Sequence, residues 1–147
     1  MADDQSVQYL SQGWLDECSE RFNSSDAMRA AARGRFTCTF QHHVTGAPDV
    51  LGGEVAFYSV FRDGRSVEMA LGTIASPEIT ISGSYATWER IHKGEAGMVG
   101  AALTRGLKVK TSWLKGAVLA ARYRGLFKMN DVIASIPTEF PSWQSES

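Results

Sequence analysis

The stretch at residues 78–94, EITISGSYATWERIHKG, places a short strand directly before a short helix. Ile79 and Ile81 alternate with polar residues, so one face of the predicted strand has to be covered. Trp88 and Ile91 are three residues apart and share a helix face that can cover it. The stretch therefore predicts a helix packed on a sheet. It also raises the question of whether the space between these two layers holds only core or also a ligand.

Before this stretch, the period of the apolar residues changes from about four to two. Residues 6–23 predict an amphipathic helix with an apolar residue at every fourth position: Leu10, Trp14, Cys18 and Phe22. Ser24-Ser25-Asp26 is a capping cluster for a second, Ala-rich helix that Gly34 can end. Alternation then predicts strands at 36–43, 54–61 and 65–71, with Asp63-Gly64 as the hairpin turn between the last two.

The predicted fold class is α+β. A single five-stranded, mostly antiparallel sheet has one face covered by helices, and a helical crossover separates strands four and five. The first four strands are expected in hairpin succession and the fifth at 107–112. The expected inward row is Phe57, Ser59, Phe61, Val67, Met69, Ile79, Ile81, Leu107 and Val109. One domain, 1–147, is predicted, with N-terminal helices in 6–34, the sheet and crossover in 36–112, and C-terminal helices and a tail in 113–147.

Composition excludes several functions. The formal net charge of −1 gives no argument for nucleic-acid binding, and no apolar run approaches the length of a membrane span. Cys18 and Cys38 lack a zinc-like spacing and are expected to be reduced, in a cytoplasmic protein. His42 and His43 project to opposite faces of their strand and His92 is alone, so neither a metal site nor a cofactor is predicted. No catalytic constellation is found either, so an enzyme is not expected.

Charge is unevenly distributed along the chain. Between Ala96 and Asn130 there are seven basic residues and no acid: Arg105, Lys108, Lys110, Lys115, Arg122, Arg124 and Lys128. An ordinary solvated face explains this segment, and an anion-binding role is the alternative.

The run from Phe57 to Leu126 resembles the sterol carrier protein type 2 domain, the nonspecific lipid-transfer family. The resemblance rests on four motifs in the right order: the turn Arg62-Asp63-Gly64-Arg65, the strand Pro77-Glu78-Ile79-Thr80-Ile81-Ser82, the helix positions Trp88, Ile91 and Gly94, and the fifth strand Leu107-Lys108-Val109. The chain departs from the family at Thr111-Ser112-Trp113, where the family commonly has a glycine, and between Gly94 and Gly106.

The resemblance implies non-catalytic binding and carriage of a sterol, fatty acid or acyl-CoA in an apolar tunnel between sheet and helices. The residues expected to line the tunnel are Phe57, Phe61, Met69, Ile81, Trp88, Ile91, Met98, Leu103, Val109, Leu114 and Val118. Arg105, Lys108 and Lys110 are expected headgroup contacts, and Ser59 and His42 are further polar candidates at the mouth. For each of these apolar side chains taken singly, ordinary core packing is favoured over ligand contact.

Two alternatives remain open at this point. One is an accessory subunit that holds substrate for a lipid- or steroid-metabolising enzyme, and the other is a small isomerase or cyclase. The partners this implies are a lipid or acyl-CoA ligand, transient contact with an anionic membrane or an enzyme, and a homodimer.

Overall fold

The computed structural model describes residues 6–96, 106–112, 114, 118 and 129–141. The strands are β1 (Val7–Gln8), β2 (Cys38–Thr45), β3 (Val55–Arg62), β4 (Arg65–Leu71), β5 (Ile79–Ser84), β6 (Leu107–Lys110) and β7 (Thr138–Glu139). The helices are α1 (Gln12–Ser24), α2 (Asp26–Ala32), α3 (Tyr85–His92) and α4 (Met129–Ala134), with a 3-10 turn at Asp49–Leu51. Residues 114 and 118 are also helical.

Strands β2 to β6 form one five-stranded sheet in the order β4-β3-β2-β5-β6. All of its neighbours are antiparallel except β2 and β5, which run parallel. This confirms the predicted fold class. The expected hairpin succession is wrong at one step, because β5 does not pair with β4 but returns to the far side of β2.

Strand β5 reaches the far side of β2 because the connection that follows β4 crosses the outer face of the sheet. Gln41 points to that face, and its amide donates to the carbonyl of Gly72 and accepts from the backbone N–H of Ile74. Farther along, Glu78 and Thr39 exchange backbone and side-chain hydrogen bonds. A single polar residue inside a strand thus anchors the loop that sets the strand order.

The first helix begins later than its apolar period predicts. Ser11 caps α1 by accepting the N–H of Trp14, and Leu10 has a left-handed backbone with φ of 63°. Residues 7–8 instead form β1, which pairs in parallel with β7 near the other end of the chain. The helix predicted at 6–23 was therefore wrong over residues 6–11, because the Ser11 cap overrides the continuing apolar period.

A bulge in β4 removes Val67 from the predicted inward row. Val60 pairs with Glu68, but Phe61 pairs with Ser66, so two residues of β4 stand opposite one of β3. Val67 consequently faces solvent with 49% of its surface exposed, and Ser66 takes the buried position.

Helix α1 covers the free edge of β4 with two amide side chains. Asn23 donates to the carbonyl of Ser66 and accepts from its N–H, both at 2.9 Å. Gln12 donates to the carbonyl of Met69 at 2.8 Å and accepts from the N–H of Leu71 at 3.1 Å. The two amides are 11 positions apart, which is close to three helical turns, so both reach the same edge. They satisfy backbone groups that an edge strand would otherwise leave unpaired.

Candidate functional site

One row of side chains crosses the inner, helix-covered face of all five strands. The pairings place Leu71 of β4 opposite Phe57, Phe57 opposite His42, His42 opposite Ile81, and Ile81 opposite Val109 of β6. Residues paired directly across a sheet share a face, so these five form a continuous band. We call it the inner row. His42, on the middle strand, is its only polar member.

Above the middle of this row lies a layer of aromatic and imidazole rings. Trp88 of α3 meets the ring of His42 edge-on at 5.6 Å, and Trp14 of α1 meets Phe57 in the same way at 6.3 Å. His92 lies between the two tryptophans, at 5.4 Å from Trp88 and 5.1 Å from Trp14. Both tryptophans are buried, so the helices close firmly over this part of the sheet.

Gly83 allows Trp88 to approach the sheet. The indole N–H of Trp88 donates to the carbonyl of His43 at 3.2 Å, passing close to β5. A Cβ at Gly83 would lie 3.3 Å from that indole nitrogen and 2.6 Å from Leu107. The absence of a side chain at Gly83 therefore leaves room for the indole of Trp88 against the sheet.

His92 is fixed by Tyr9, which is 83 positions away in sequence. The Tyr9 hydroxyl lies 2.5 Å from Nδ1 of His92, and both side chains are buried. Burial raises the pKa of Tyr9, so the hydroxyl keeps its proton and donates it. Nδ1 of His92 is then the acceptor and the ring proton is on Nε2. Burial, with a smaller contribution from His42, lowers the pKa of His92 to about 3.

His42 is held by ring contacts without a hydrogen bond to its buried nitrogen. Its imidazole stacks on Phe57 at 4.4 Å with an interplanar angle of 9°, and it lies at 6.1 Å from Phe40. Nδ1 is buried and has no hydrogen-bond partner within the described part of the chain. Burial, followed by the neighbouring His43, lowers the pKa of His42 to about 3, so the ring is neutral.

The inner face is closed around Trp88 and open towards its margins. Phe40 and His42 are half-buried even though they lie on the middle strand. At the β6 edge Val109 exposes 48% of its surface, and Leu71 at the β4 edge exposes 45%. Apolar surface is therefore accessible at both ends of the inner row. Leu114 and Val118, which are also predicted to line the site, expose 61% and 46% of their surfaces.

The structure brings together part of the predicted site. Phe57, Ile81 and Val109 lie in the inner row, and Met69 lies one pair along the strands from Phe57. Trp88 and Ile91 are buried on α3, as predicted from their spacing. Phe61 lies at the other end of the sheet, in contact with Phe22, Phe36 and Phe40. The predicted contacts Met98, Leu103 and Arg105 lie outside the described residues.

Lys108 and Lys110 do not share the face of the inner row. They pair with Ser82 and Thr80, whereas Val109 between them pairs with Ile81. Both lysines are exposed on the edge strand, next to the open end of the row but on the outer face.

A depression also lies between α1 and the β4 edge. Its volume is about 420 Å³, and its lining includes the carboxylates of Asp16, Glu20 and Glu68 together with Val67. Polar and open to solvent, it does not suit an apolar guest and is separate from the inner row.

Three residues that the predicted site lacked are Tyr9, Trp14 and His92. Tyr9 precedes the helix and carries no periodic signal, so the sequence pattern gives no means of finding it.

Among the residues that the structure describes, no three His, Cys, Asp or Glu side chains could together hold a metal ion. Cys18 and Cys38 are both buried and are not linked to each other by a disulfide. No described helix has both the length and the apolar character that a membrane crossing requires.

Comparison with known proteins identifies the fold to which this architecture belongs. No protein-family model and no curated protein sequence matches the chain. Solved structures do match: the chain has the α+β fold of sterol carrier protein 2. A crystal structure of sterol carrier protein 2 superposes with a TM-score of 0.73 at 20% identity, covering 88% of this chain and 99% of that one.

Two further solved structures share the fold. A conserved hypothetical protein of Thermus thermophilus, whose description suggests a sterol carrier protein, has a TM-score of 0.73 at 21% identity and covers 95% of this chain and 97% of its own. A palmitated sterol carrier protein 2-like 2 from Aedes aegypti has a TM-score of 0.53 at 17% identity, covering 83% and 92%. At these identities the likeness establishes the fold.

Proposed function

We propose that this protein binds and carries a hydrophobic ligand, without catalysis, between the inner row and the helices above it. The observation that supports this most is the accessible apolar surface on the inner face, from half-buried His42 on the middle strand to exposed Val109 at the β6 edge. A sterol, a fatty acid and an acyl-CoA are the ligand classes considered. That a palmitated protein shares the fold supports a lipid as the guest.

The inner row has a length that suits an extended lipid chain. Five strands spaced about 4.8 Å apart give about 19 Å from Leu71 to Val109, comparable to an extended chain of about sixteen carbons. To occupy this whole length, the chain would have to move the rings of Trp14 and Trp88 away from Phe57 and His42, which they cover in this structure. Four of the five side chains in the row are apolar, so such a chain would meet few groups that require water.

Desolvation supplies enough free energy for a reversible carrier. Removing about fifteen methylenes from water contributes on the order of 12 kcal/mol. Loss of ligand freedom costs at least about 4 kcal/mol, which leaves at most about 8 kcal/mol and a dissociation constant that is micromolar or weaker. A carrier with this affinity can also release its ligand.

Native mass spectrometry of the protein purified from cells tests the proposal. We expect a population with one added lipid mass, and extraction should identify that lipid. In titrations of the delipidated protein with fatty acids, sterols and acyl-CoA, at least one class should bind near micromolar concentration. A protein that purifies without lipid and binds none of the three classes would refute the function.

Two exposed valines give a matched pair of variants. Val109 lies in the inner row and Val67 lies on the bulge, with nearly equal exposed fractions of 48% and 49%. Val109→Asp should weaken lipid binding at least about tenfold, because a bound chain would desolvate the new carboxylate. Val67→Asp should leave binding unchanged. Equal effects of the two substitutions would show that the inner row is not the site.

A further inference from the structure

We propose that Nδ1 of His42 is the hydrogen-bonding group that reads the polar end of the bound lipid, and that it selects an uncharged hydroxyl. This inference rests on the proposed function and adds a specificity-determining residue and a ligand class: lipid alcohols in preference to fatty carboxylates.

The unpaired nitrogen is the first observation. A buried polar atom without a partner costs about 1–3 kcal/mol, and folded proteins rarely leave one unsatisfied. His92, the other buried imidazole of this layer, has its Nδ1 satisfied by the Tyr9 hydroxyl. His42 has no such partner on Nδ1 within the described residues, although it lies beside the same tryptophan. A ligand oxygen would supply the missing hydrogen bond.

The position of His42 is the second observation. It is the one polar side chain in a row that is otherwise Leu71, Phe57, Ile81 and Val109. The residue is half-buried, so part of it is accessible from the inner face, whereas Nδ1 itself is covered. The polar end of the ligand would have to displace the side chains that cover Nδ1 in order to bond to it. A lipid lying along the β5–β6 part of the row would meet this imidazole as its single polar contact there.

The chemistry around His42 favours a neutral partner. Phe57, Phe40 and Trp88 surround the ring, and the described side chains in ring contact with it include no cation. Lys108 and Lys110 lie on the other face. A carboxylate placed here would lose its hydration without a counter-charge. A hydroxyl both donates and accepts, so it can pair with Nδ1 in either tautomer of a neutral imidazole.

Competition binding with three ligands of equal chain length tests the proposal: 1-dodecanol, dodecanoate and 1-chlorododecane, each displacing a fluorescent fatty-chain probe. Wild-type protein should prefer 1-dodecanol at least about tenfold over both others. In His42→Phe the preference for 1-dodecanol over 1-chlorododecane should fall to about onefold. His43→Phe, the neighbouring substitution on the outer face, should keep the wild-type preference.

A second measurement uses wild-type protein and needs no variant to fold. With ¹⁵N-labelled histidine, the Nδ1 resonance of His42 should shift on adding 1-dodecanol and stay in place with 1-chlorododecane. If wild type binds the three ligands equally, prefers dodecanoate, or shows no shift, the role of His42 is refuted and the carrier function stands. If wild type binds none of these ligands and none of the lipids tested above, both fall.

Discussion

Acidification below about pH 6.5 should destabilise this protein, because two histidines are buried in neutral form. The folded-state pKa is about 3 for both His42 and His92, against about 6.5 in an unfolded chain. Since the unfolded state binds these protons more readily, stability is fully present above pH 6.5 and is lost as pH falls towards 3.

The size of the effect follows from these values. Between pH 8 and pH 5, one such histidine lowers the free energy of unfolding by about 2 kcal/mol. His92 is buried and should contribute this amount in full. His42 is half-buried, so solvent screening reduces its share to about 1–2 kcal/mol. The sum, about 3–4 kcal/mol, is a large part of the roughly 5–15 kcal/mol that stabilises a domain.

Urea unfolding at pH 8, 7, 6 and 5, followed by tryptophan fluorescence, measures this loss directly. His42→Phe and His92→Gln should each remove part of the slope, the glutamine keeping an acceptor for the Tyr9 hydroxyl. His43→Gln, on the outer face, is the control and should keep the full slope. Two results would show that these imidazoles are not buried as described. One is a free energy of unfolding that stays constant from pH 8 to pH 5, and the other is an unchanged slope in both the His42→Phe and the His92→Gln variants.

Three other perturbations have defined outcomes. Asn23→Ala removes two hydrogen bonds from the β4 edge and should cost about 1–3 kcal/mol, with dimers or larger species in size-exclusion chromatography; a monomer of wild-type stability would contradict the role given to this amide. Gly83→Ala places a methyl group 2.6 Å from Leu107 and should destabilise by about 1–3 kcal/mol in the same urea assay, so a neutral result would refute the close approach of α3. Lys108 and Lys110 lie on the outer face but beside the open end of the row, so a CoA phosphate that leaves the row at the β6 edge can reach them around that edge. Neutralising both should therefore weaken acyl-CoA binding and leave free fatty acid binding unchanged; equal losses for both ligands, or none, would remove these lysines from headgroup recognition.

Local sequence patterns were sufficient to predict most of the sheet and its helix cover. Alternation located the strands, and Asp63-Gly64 takes the positive φ angles of a tight hairpin. Trp88 and Ile91 are both buried on α3, as their spacing predicts. These features depend on residues close together in the chain, where the physical preferences are strong and local.

The features that were predicted wrongly or missed are set by contacts or pairings that the local sequence pattern does not show. Gln41 anchors the loop that carries β5 across the outer face, and an isolated polar residue in a strand does not reveal that. The bulge at Val67 changes which side chain is buried, although simple alternation places Val67 inside. Tyr9 and His92 meet across 83 positions, so no spacing rule finds them.

The candidate site was accessible to sequence reasoning only in part. The apolar members of the inner row follow from alternation and from the resemblance to the sterol carrier domain. The pairing that aligns Phe57, His42 and Ile81 across three strands requires the parallel placement of β5 beside β2, which the pattern did not predict. The importance of His42 appears only once its neighbours and its unpaired Nδ1 are known.

Photo-crosslinking with a long-chain lipid alcohol that carries a diazirine along its chain tests most directly whether a guest occupies the inner face. After irradiation and peptide mapping, we expect adducts on the inner row, at His42, Ile81 and Val109, and none on the outer-face residues Tyr58 and Thr80. Adducts spread equally over both faces, or confined to the outer one, would contradict a lipid site between the sheet and its helices.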